Sequence, residues 1–410
     1  MKRRVVVTGM GLVSPVGNTV DESFDNLIKG VNGIDFIKSY DTTDWKVKIA
    51  GEVKNLNFED FIDKKEIRRN DRVANLALVA SHEAYTQAKL EGQVDNPFKF
   101  GTFIGSGIGG LTTIFEEVKT SVTRGQDRIS PFFIPNSIIN LIGAKIGIKY
   151  GAKGANMPQV TACSAATNSI GEAYRNILHG YIDVAITGGA EAPVNEIGVG
   201  GFASLRALNF SNDPEVASVP FDKRRSGFVI AEGAGILILE DYEHAKKRGA
   251  TIIAEMVGYG TTSDAFHMTA PDDEATGIEA CLKMALEDAN IKPSEIGYIN
   301  AHGTSTLLND KLETLGIKKA FGDAAQGINI SSTKSMTGHA LGAAGAIETI
   351  AVIKALQTGW IPPTIHLLEQ DPECDLNYTP NHAVKRDIQY AMNINIGFGG
   401  QNAAIIFKKV

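Results

Sequence analysis

One succession of segments occurs twice along this chain, and it constrains the fold more than any other feature. In the first pass, β-branched residues 4–8 end at Gly9 and a helical stretch covers 74–90. Strand-like residues 99–104 then run into Gly105-Ser106-Gly107-Ile108-Gly109-Gly110. Next come a short strand at 159–162, a helix over 163–179 stopped by Gly180, and a strand at 184–187 ending in Gly188-Gly189. The second pass keeps that order, with strand 252–257, helix 277–290, strands 296–301 and 328–331, and a helix of small residues over 339–357. Strands alternating with helices predict an α/β architecture. The two passes share an order but no constant period, so they read as two related α/β layers and not as a tandem repeat. The halves span 1–250 and 251–410, with 190–228 a loop-rich insertion around a site. The correspondence places Cys163 and His339 each at the start of a buried helix, so a pseudo-twofold fold brings them together.

Several function classes drop out on composition. The formal net charge of −7 argues against a general nucleic-acid binder. No apolar stretch reaches the roughly 18 residues of a membrane helix, and the valines after Lys2-Arg3-Arg4 are too few for a signal peptide. Three scattered cysteines, Cys163, Cys281 and Cys374, make no disulfide framework and fit a reducing cytoplasm.

The chemistry-bearing residues cluster at strand ends. Cys163 follows a β-run in Val160-Thr161-Ala162-Cys163-Ser164 and opens a helix, where free N–H groups and the positive dipole end would lower its pKa. His302 ends a strand in Asn300-Ala301-His302-Gly303-Thr304-Ser305-Thr306, and His339 closes Ser332-Thr333-Lys334-Ser335-Met336-Thr337-Gly338-His339. The other six histidines read as satisfied polar residues, His244 for one on a solvated helix end. Gly397-Phe398-Gly399-Gly400 is either a plain turn or a place where backbone N–H groups converge on an oxyanion. Gly105, Gly107 and Gly110 match a dinucleotide fingerprint, but Leu111-Thr112-Thr113 signals the required helix poorly, which points away from nucleotide binding. The basic run Lys64, Lys65, Arg68, Arg69 and Arg72 is a solvated face or a landing surface for an acidic partner.

Taken together, these motifs resemble the β-ketoacyl-acyl-carrier-protein synthases of the thiolase superfamily, the type II members most closely, over essentially the whole chain. The resemblance rests on Val7-Thr8-Gly9-Met10-Gly11, Thr161-Ala162-Cys163 and the two histidine motifs, in order. It implies a thiolase-like fold, two similar halves forming a layered α-β-α-β-α core. It also implies decarboxylating condensation of an acyl group on Cys163 with malonyl-acyl-carrier protein, as in fatty acid chain elongation. His302 and His339 would hydrogen-bond the malonyl thioester oxygen, while Lys334 would hold the network with support from Glu348. The backbone N–H groups of Cys163 and Phe398 would form the oxyanion hole. By the same resemblance, Ile108 is the gate at the end of the acyl pocket, and Phe133 and Ile134 lie near that pocket and a dimer interface. Phe202, Ala340 and Gly399 line the substrate site, and Thr304 and Thr306 meet the pantetheine arm. Lys65, Arg68, Arg69, Arg124, Arg128 and Arg206 would dock the acidic carrier protein. The implied enzyme is a homodimer with no metal and no cofactor beyond the carrier's phosphopantetheine.

The chain also departs from the family's pattern. Leu307 stands where a proline is usual, the glycine loop carries Ile394 and Ile396, Gln401 replaces a common threonine or histidine, and Ala340 replaces a bulky residue. These changes touch the gate and pocket wall, so they bear on chain length. A polyketide-type ketosynthase is the rival among enzymes. A catalytically silent chain-length partner subunit is the rival outside them, and the retained Cys163 argues against it.

Overall fold

The computed structural model describes residues 3–410. Its centre is a nine-stranded sheet with strands β1 (Val5–Val13), β2 (Phe100–Gly105), β3 (Val184–Glu191), β4 (Gly233–Asp241), β5 (Ala254–Ser263), β6 (Ile296–Asn300), β7 (Asn329–Ser331), β8 (Tyr390–Gly397) and β9 (Gln401–Lys408). The spatial order is β2-β3-β4-β1-β5-β9-β8-β6-β7. The helices that matter for the site are α1 (Arg72–Ala88), α2 (Leu111–Arg124), α3 (Ala165–Leu178), α4 (Thr276–Ala289), α5 (Leu307–Phe321) and α6 (Ala344–Thr358).

The repeated order seen in the sequence is a repeated topology. In the first half β2 and β3 run parallel, and β4 and β1 follow antiparallel. In the second half β6 and β8 run parallel, and β9 and β5 follow antiparallel. The half-sheets join edge to edge through Val5–Met256, Val6–Glu255 and Val7–Ala254. Helices α3 and α6 pack on each other and on strands of both halves, so the sheet curls around this pair. α1 covers the first half from outside, and α4 with α5 covers the second, which completes the α-β-α-β-α layering.

Small residues make that central layer possible. A strand covered by helices on both faces reads as a continuous apolar run, and β1 is buried at all nine positions. α6 reads Ala344-Gly345-Ala346-Ile347 and is buried around most of its circumference, as expected for a helix enclosed by protein. At Gly345 a Cβ would stand 2.0 Å from Thr167 Oγ1 of α3, so the two helices touch through a bare backbone.

Three local expectations are corrected. Residues 159–162 form no strand; the chain makes one parallel bridge, Asn156 to Thr102, at the edge position β7 holds in the other half, and then turns. The helix after Gly110 does form, as α2. Yet the glycine loop is no phosphate cradle, because the N–H groups of Gly107 and Ile108 already donate to the buried Glu191 carboxylate at 2.6 and 3.1 Å. His244 is not on a solvated end; its Nδ1 lies 2.7 Å from the buried Glu240 carboxylate, which Arg248 and Thr8 also engage.

Candidate active site

Cys163 lies in a single 3-10 turn, Ala162–Ser164, that feeds directly into α3. The turn is strained: Ala162 has φ +50°, in the left-handed region that disfavours a residue with a Cβ. The second half repeats this elbow as Leu341–Ala343 leading into α6, with Leu341 at φ +44°. Aligning the elbows pairs Cys163 with Gly342 and leaves His339 three residues upstream. The two do converge, but His339 does so from the chain entering the elbow. The second elbow has no room for a side chain, since a Cβ on Gly342 would lie 2.3 Å from Gly107 N and 2.5 Å from Glu191 Oε2.

Around the nucleophile three buried side chains meet: Cys163 Sγ and one ring nitrogen each of His302 and His339 lie within 4.8 Å of one another. His302 leaves the end of β6, and Glu313 on α5 accepts from the N–H groups of His302 at 2.6 Å and Gly303 at 2.8 Å, which fixes the turn. The imidazoles stand edge to face, 5.2 Å between centroids at 85°. Asn395 Nδ2 reaches Glu348 Oε2 at 2.7 Å and His302 Nδ1 at 3.4 Å, while its Oδ1 accepts from Thr167 Oγ1 at 2.5 Å and Asn393 Nδ2 at 2.9 Å. With the amide so oriented, His302 Nδ1 accepts and the ring proton sits on Nε2. Glu348 in turn pairs with the fully buried Lys334. Neither ring nitrogen of His339 has a hydrogen-bond partner, and its ring rests edge-on against Phe228 at 5.2 Å. A buried polar group left unpaired in this way is one a substrate satisfies.

Electrostatics correct one sequence-based expectation. The Cys163 thiol is not lowered; burial pushes it up to about 12, against the pull of the Lys334 charge and of the Phe398 N–H that donates to it. Loss of water outweighs the favourable helix terminus. Burial first and Lys334 second hold both imidazoles well below their ordinary 6.5, so they are neutral at physiological pH. The resting site is thus a thiol beside two neutral imidazoles; His302 presents Nε2–H as a donor, and His339, whose ring nitrogens are unpartnered, is the one free to accept the thiol's proton. A depressed imidazole pKa keeps that acceptor on the acid side of 6.5. Acyl transfer to Cys163, followed by rapid quench, should therefore hold its rate from about pH 8 to below 6.5, the ordinary histidine value. An acid limb centred at the ordinary value, or a steady tenfold rise per pH unit, would count against proton transfer to a neutral imidazole.

These groups sit at the base of a cavity of about 420 Å³. Phe202, Phe228, Thr304, Thr306, Leu307, Ile396 and Phe398 line it, and Arg206 stands among the lining residues. Thr304 and Thr306 hydroxyls lie 3.0 Å apart. Leu307 opens α5 at the first helical position, where a proline would merely pre-set φ, so its departure leaves the helix start intact. Ile108 packs with the apolar cluster that includes Cys163, Phe202 and Leu341.

Sequence profiles match this chain in two blocks: the β-ketoacyl synthase N-terminal domain over residues 2–245 and the C-terminal domain over 253–368. The chain belongs to the β-ketoacyl synthase family. That makes it an acyltransferase of the condensing type. A 3-oxoacyl-[acyl-carrier-protein] synthase 2 of Staphylococcus aureus is 49% identical over 99% of this chain and 98% of its own length. The Synechocystis protein of the same name is 46% identical over 100% and 98%. Among solved structures, a β-ketoacyl synthase from Burkholderia phymatum superposes with TM-score 0.91 at 35% identity over the full length of both chains. A ketosynthase complex with a type II PKS acyl-carrier protein gives TM-score 0.92 at 35% identity, also over both full lengths.

Not every residue expected at the site of this β-ketoacyl synthase lines the cavity. Ala340 is buried in the central core cluster, and Gly399 is exposed, its N–H donating to Met268 O at 2.7 Å. Phe133 and Ile134 belong to the short helix Phe133–Ser137, which packs behind Gly109 and Gly110, and Ile134 is 58% exposed. Lys65, Arg68, Arg69, Arg124, Arg128 and Arg206 are all exposed. Arg68 and Arg69 border a second hollow with Glu116, Glu117 and Phe132, apart from the cavity mouth that Arg206 borders. Sequence reading passed over Glu191, Glu313 and Asn395. Their one signal is an acid or amide in an otherwise apolar run at a strand end or helix face.

Proposed function

We propose that this β-ketoacyl synthase lengthens a fatty acyl chain by condensing an acyl group held on Cys163 with malonyl-acyl-carrier protein. The observation that carries the reading is the meeting of one thiol and two neutral imidazoles at the base of the cavity. In the first step Cys163 Sγ attacks the acyl thioester; a neutral imidazole takes its proton and returns it to the departing pantetheine thiol. The oxyanion is received by the N–H groups of Cys163 and Phe398, the latter already donating to Sγ. In the second step the malonyl thioester oxygen faces His302 Nε2–H and His339. Loss of carbon dioxide leaves an enolate there, and donors aimed at such developing charge contribute about 3–4 kcal/mol each. The enolate carbon attacks the acyl carbonyl, Cys163 leaves as a thiolate that takes up a proton from solvent, and a 3-oxoacyl thioester departs. Lys334 and Glu348 orient Asn395 and through it His302. The two imidazoles supply the charge stabilisation, so the reading calls for no metal and no cofactor beyond the phosphopantetheine on the carrier.

Partners follow from the surface. An acidic acyl-carrier protein would approach Arg206 and the basic run around Lys65, Arg68 and Arg69, a reading supported by the relatives' names and by the solved ketosynthase bound to its carrier. Val118, Val122, Phe132, Ile134 and Ile138 are exposed apolar side chains, which would be covered in a homodimer. The free cysteines Cys163, Cys281 and Cys374 suit a reducing cytoplasm, and no helix among the described residues is long and apolar enough to cross a membrane.

The test is intact-mass spectrometry after mixing with acyl-carrier protein and then with malonyl-carrier protein. An acyl adduct on Cys163 that discharges as a 3-oxoacyl product is the expected result. An adduct that never discharges would mean acyl transfer without condensation. The same assay on a Lys65→Glu, Arg68→Glu variant should slow with carrier-bound substrates and not with short coenzyme A surrogates; equal slowing would remove the docking role.

A further inference from the structure

Glu191, at the last position of β3, is buried and lies outside the cavity lining. Its two carboxylate oxygens receive four donors, drawn from both halves of the protein. Oε1 accepts from Ser106 Oγ at 2.8 Å and from the Ile108 N–H at 3.1 Å. Oε2 accepts from the Gly107 N–H at 2.6 Å and from the Gly342 N–H at 2.9 Å. Ser106 Oγ also accepts from the Gly109 N–H at 3.0 Å, so residues 106–109 of the glycine loop hang from this one acid. Backbone has to come close for this: a Cβ on Gly107 would stand 2.9 Å from Oε2, and one on Gly342 only 2.5 Å from it. Burial raises the carboxyl's pKa above the ordinary carboxylate range, against the pull of all four donors. Three backbone N–H groups can only donate, so the cage suits the ionised form.

On one side the acid holds Ile108, whose side chain packs in the cluster with Cys163 and Phe202. On the other it holds the elbow that begins two residues after His339. We propose that Glu191 is the positioning residue for acyl-chain selectivity: its carboxylate fixes the backbone of Ile108 in register with the His339 elbow and so sets how far the gate yields to a long acyl chain. The inference rests on the reading of Ile108 as the acyl gate. Glu191 itself meets no substrate.

The geometry makes Glu191→Gln an unusually selective probe. An amide nitrogen in place of Oε2 would confront two N–H donors, neither of which can accept. In place of Oε1 it would face Ser106, whose hydroxyl can rotate and accept, and the Ile108 N–H, which cannot. The amide therefore settles with its nitrogen at the Oε1 position, and only Ile108 loses its anchor. Freeing one buried backbone donor predicts a change of about tenfold, in favour of long chains, in the ratio of kcat/KM for long over medium acyl-carrier substrates. Uniform loss at all chain lengths, or an unchanged ratio, would overturn the proposal, because a merely structural role would lower every length alike. Ile108→Phe, assayed in parallel, separates the two readings. If it leaves the length profile unaltered, Ile108 is no gate and the proposal falls with that role. If it shortens the accepted chains while Glu191→Gln changes nothing, the gate stands and Glu191 is no part of it. Should Glu191→Gln fail to fold, Ser106→Ala frees the Gly109 N–H, one residue beyond Ile108, while the Ile108 bond to Oε1 remains; a smaller shift toward long chains is then expected, and an unaltered ratio overturns the proposal.

Discussion

Replacing Cys163 by alanine is expected to lower condensation by about five to six orders of magnitude, the scale seen when a covalent nucleophile is removed from its catalytic unit. Stability should change little, by about 1 kcal/mol, because only one sulfur leaves a site that is already partly open to the cavity. The two imidazoles do not depend on the thiol for their placement. His302 is fixed by Glu313 and Asn395, and the backbone N–H of His339 donates to Val229 O at 2.7 Å. Decarboxylation of the malonyl thioester should therefore persist in Cys163→Ala while the 3-oxoacyl product disappears. Carbon dioxide release and product formation, measured together, decide the matter. Continued condensation would take Cys163 out of the mechanism, and loss of both activities would mean that the thiol also organises the malonyl side.

The largest stability effect is expected at Glu348. Its partner Lys334 is fully buried, and removing one member of such a pair strands a charge away from water. Glu348→Ala should lower unfolding free energy by about 3–5 kcal/mol, and Asn395 and His302 would lose their orientation with it. A double variant, Lys334→Met with Glu348→Leu, removes both charges and should recover most of that stability without recovering condensation. Chemical denaturation and the product assay on the two variants separate the roles. If the single variant unfolds like its parent, the ion pair carries neither.

The layered architecture was legible because its signal is the repeated order of apolar runs, and such runs survive any detail of register. The same holds for Cys163, His302 and His339, each marked by a glycine or hydroxyl turn at a strand end. What could not be read is how one half closes on the other. Pairing Cys163 with His339 by position was three residues out, because only φ at Ala162 and Leu341 reveals that Gly342 is the true counterpart. Thiol pKa failed for a related reason: a helix terminus is visible in a sequence, but the dryness around Sγ is set by Phe228, Leu341 and residues far along the chain. Glu191, Glu313 and Asn395 look like ordinary polar punctuation until their partners are seen. Strand 159–162 had the right residue types and lost to the elbow, which needs those residues to turn.

The two elbows also say where this protein has freedom to vary. One carries the nucleophile; the other is blind, its Cβ space taken up by Gly107 and Glu191. In a mutational library, substitutions at Gly107 and Gly342 should be purged whatever activity is selected. New chain-length variants should instead arise at Ile108, Phe202 and Ile396, where side chains face apolar space that a neighbour can yield. The blind elbow is thus a fixed point for directed evolution, and a catalytic cysteine cannot be moved to it without first dismantling the acid that holds both halves.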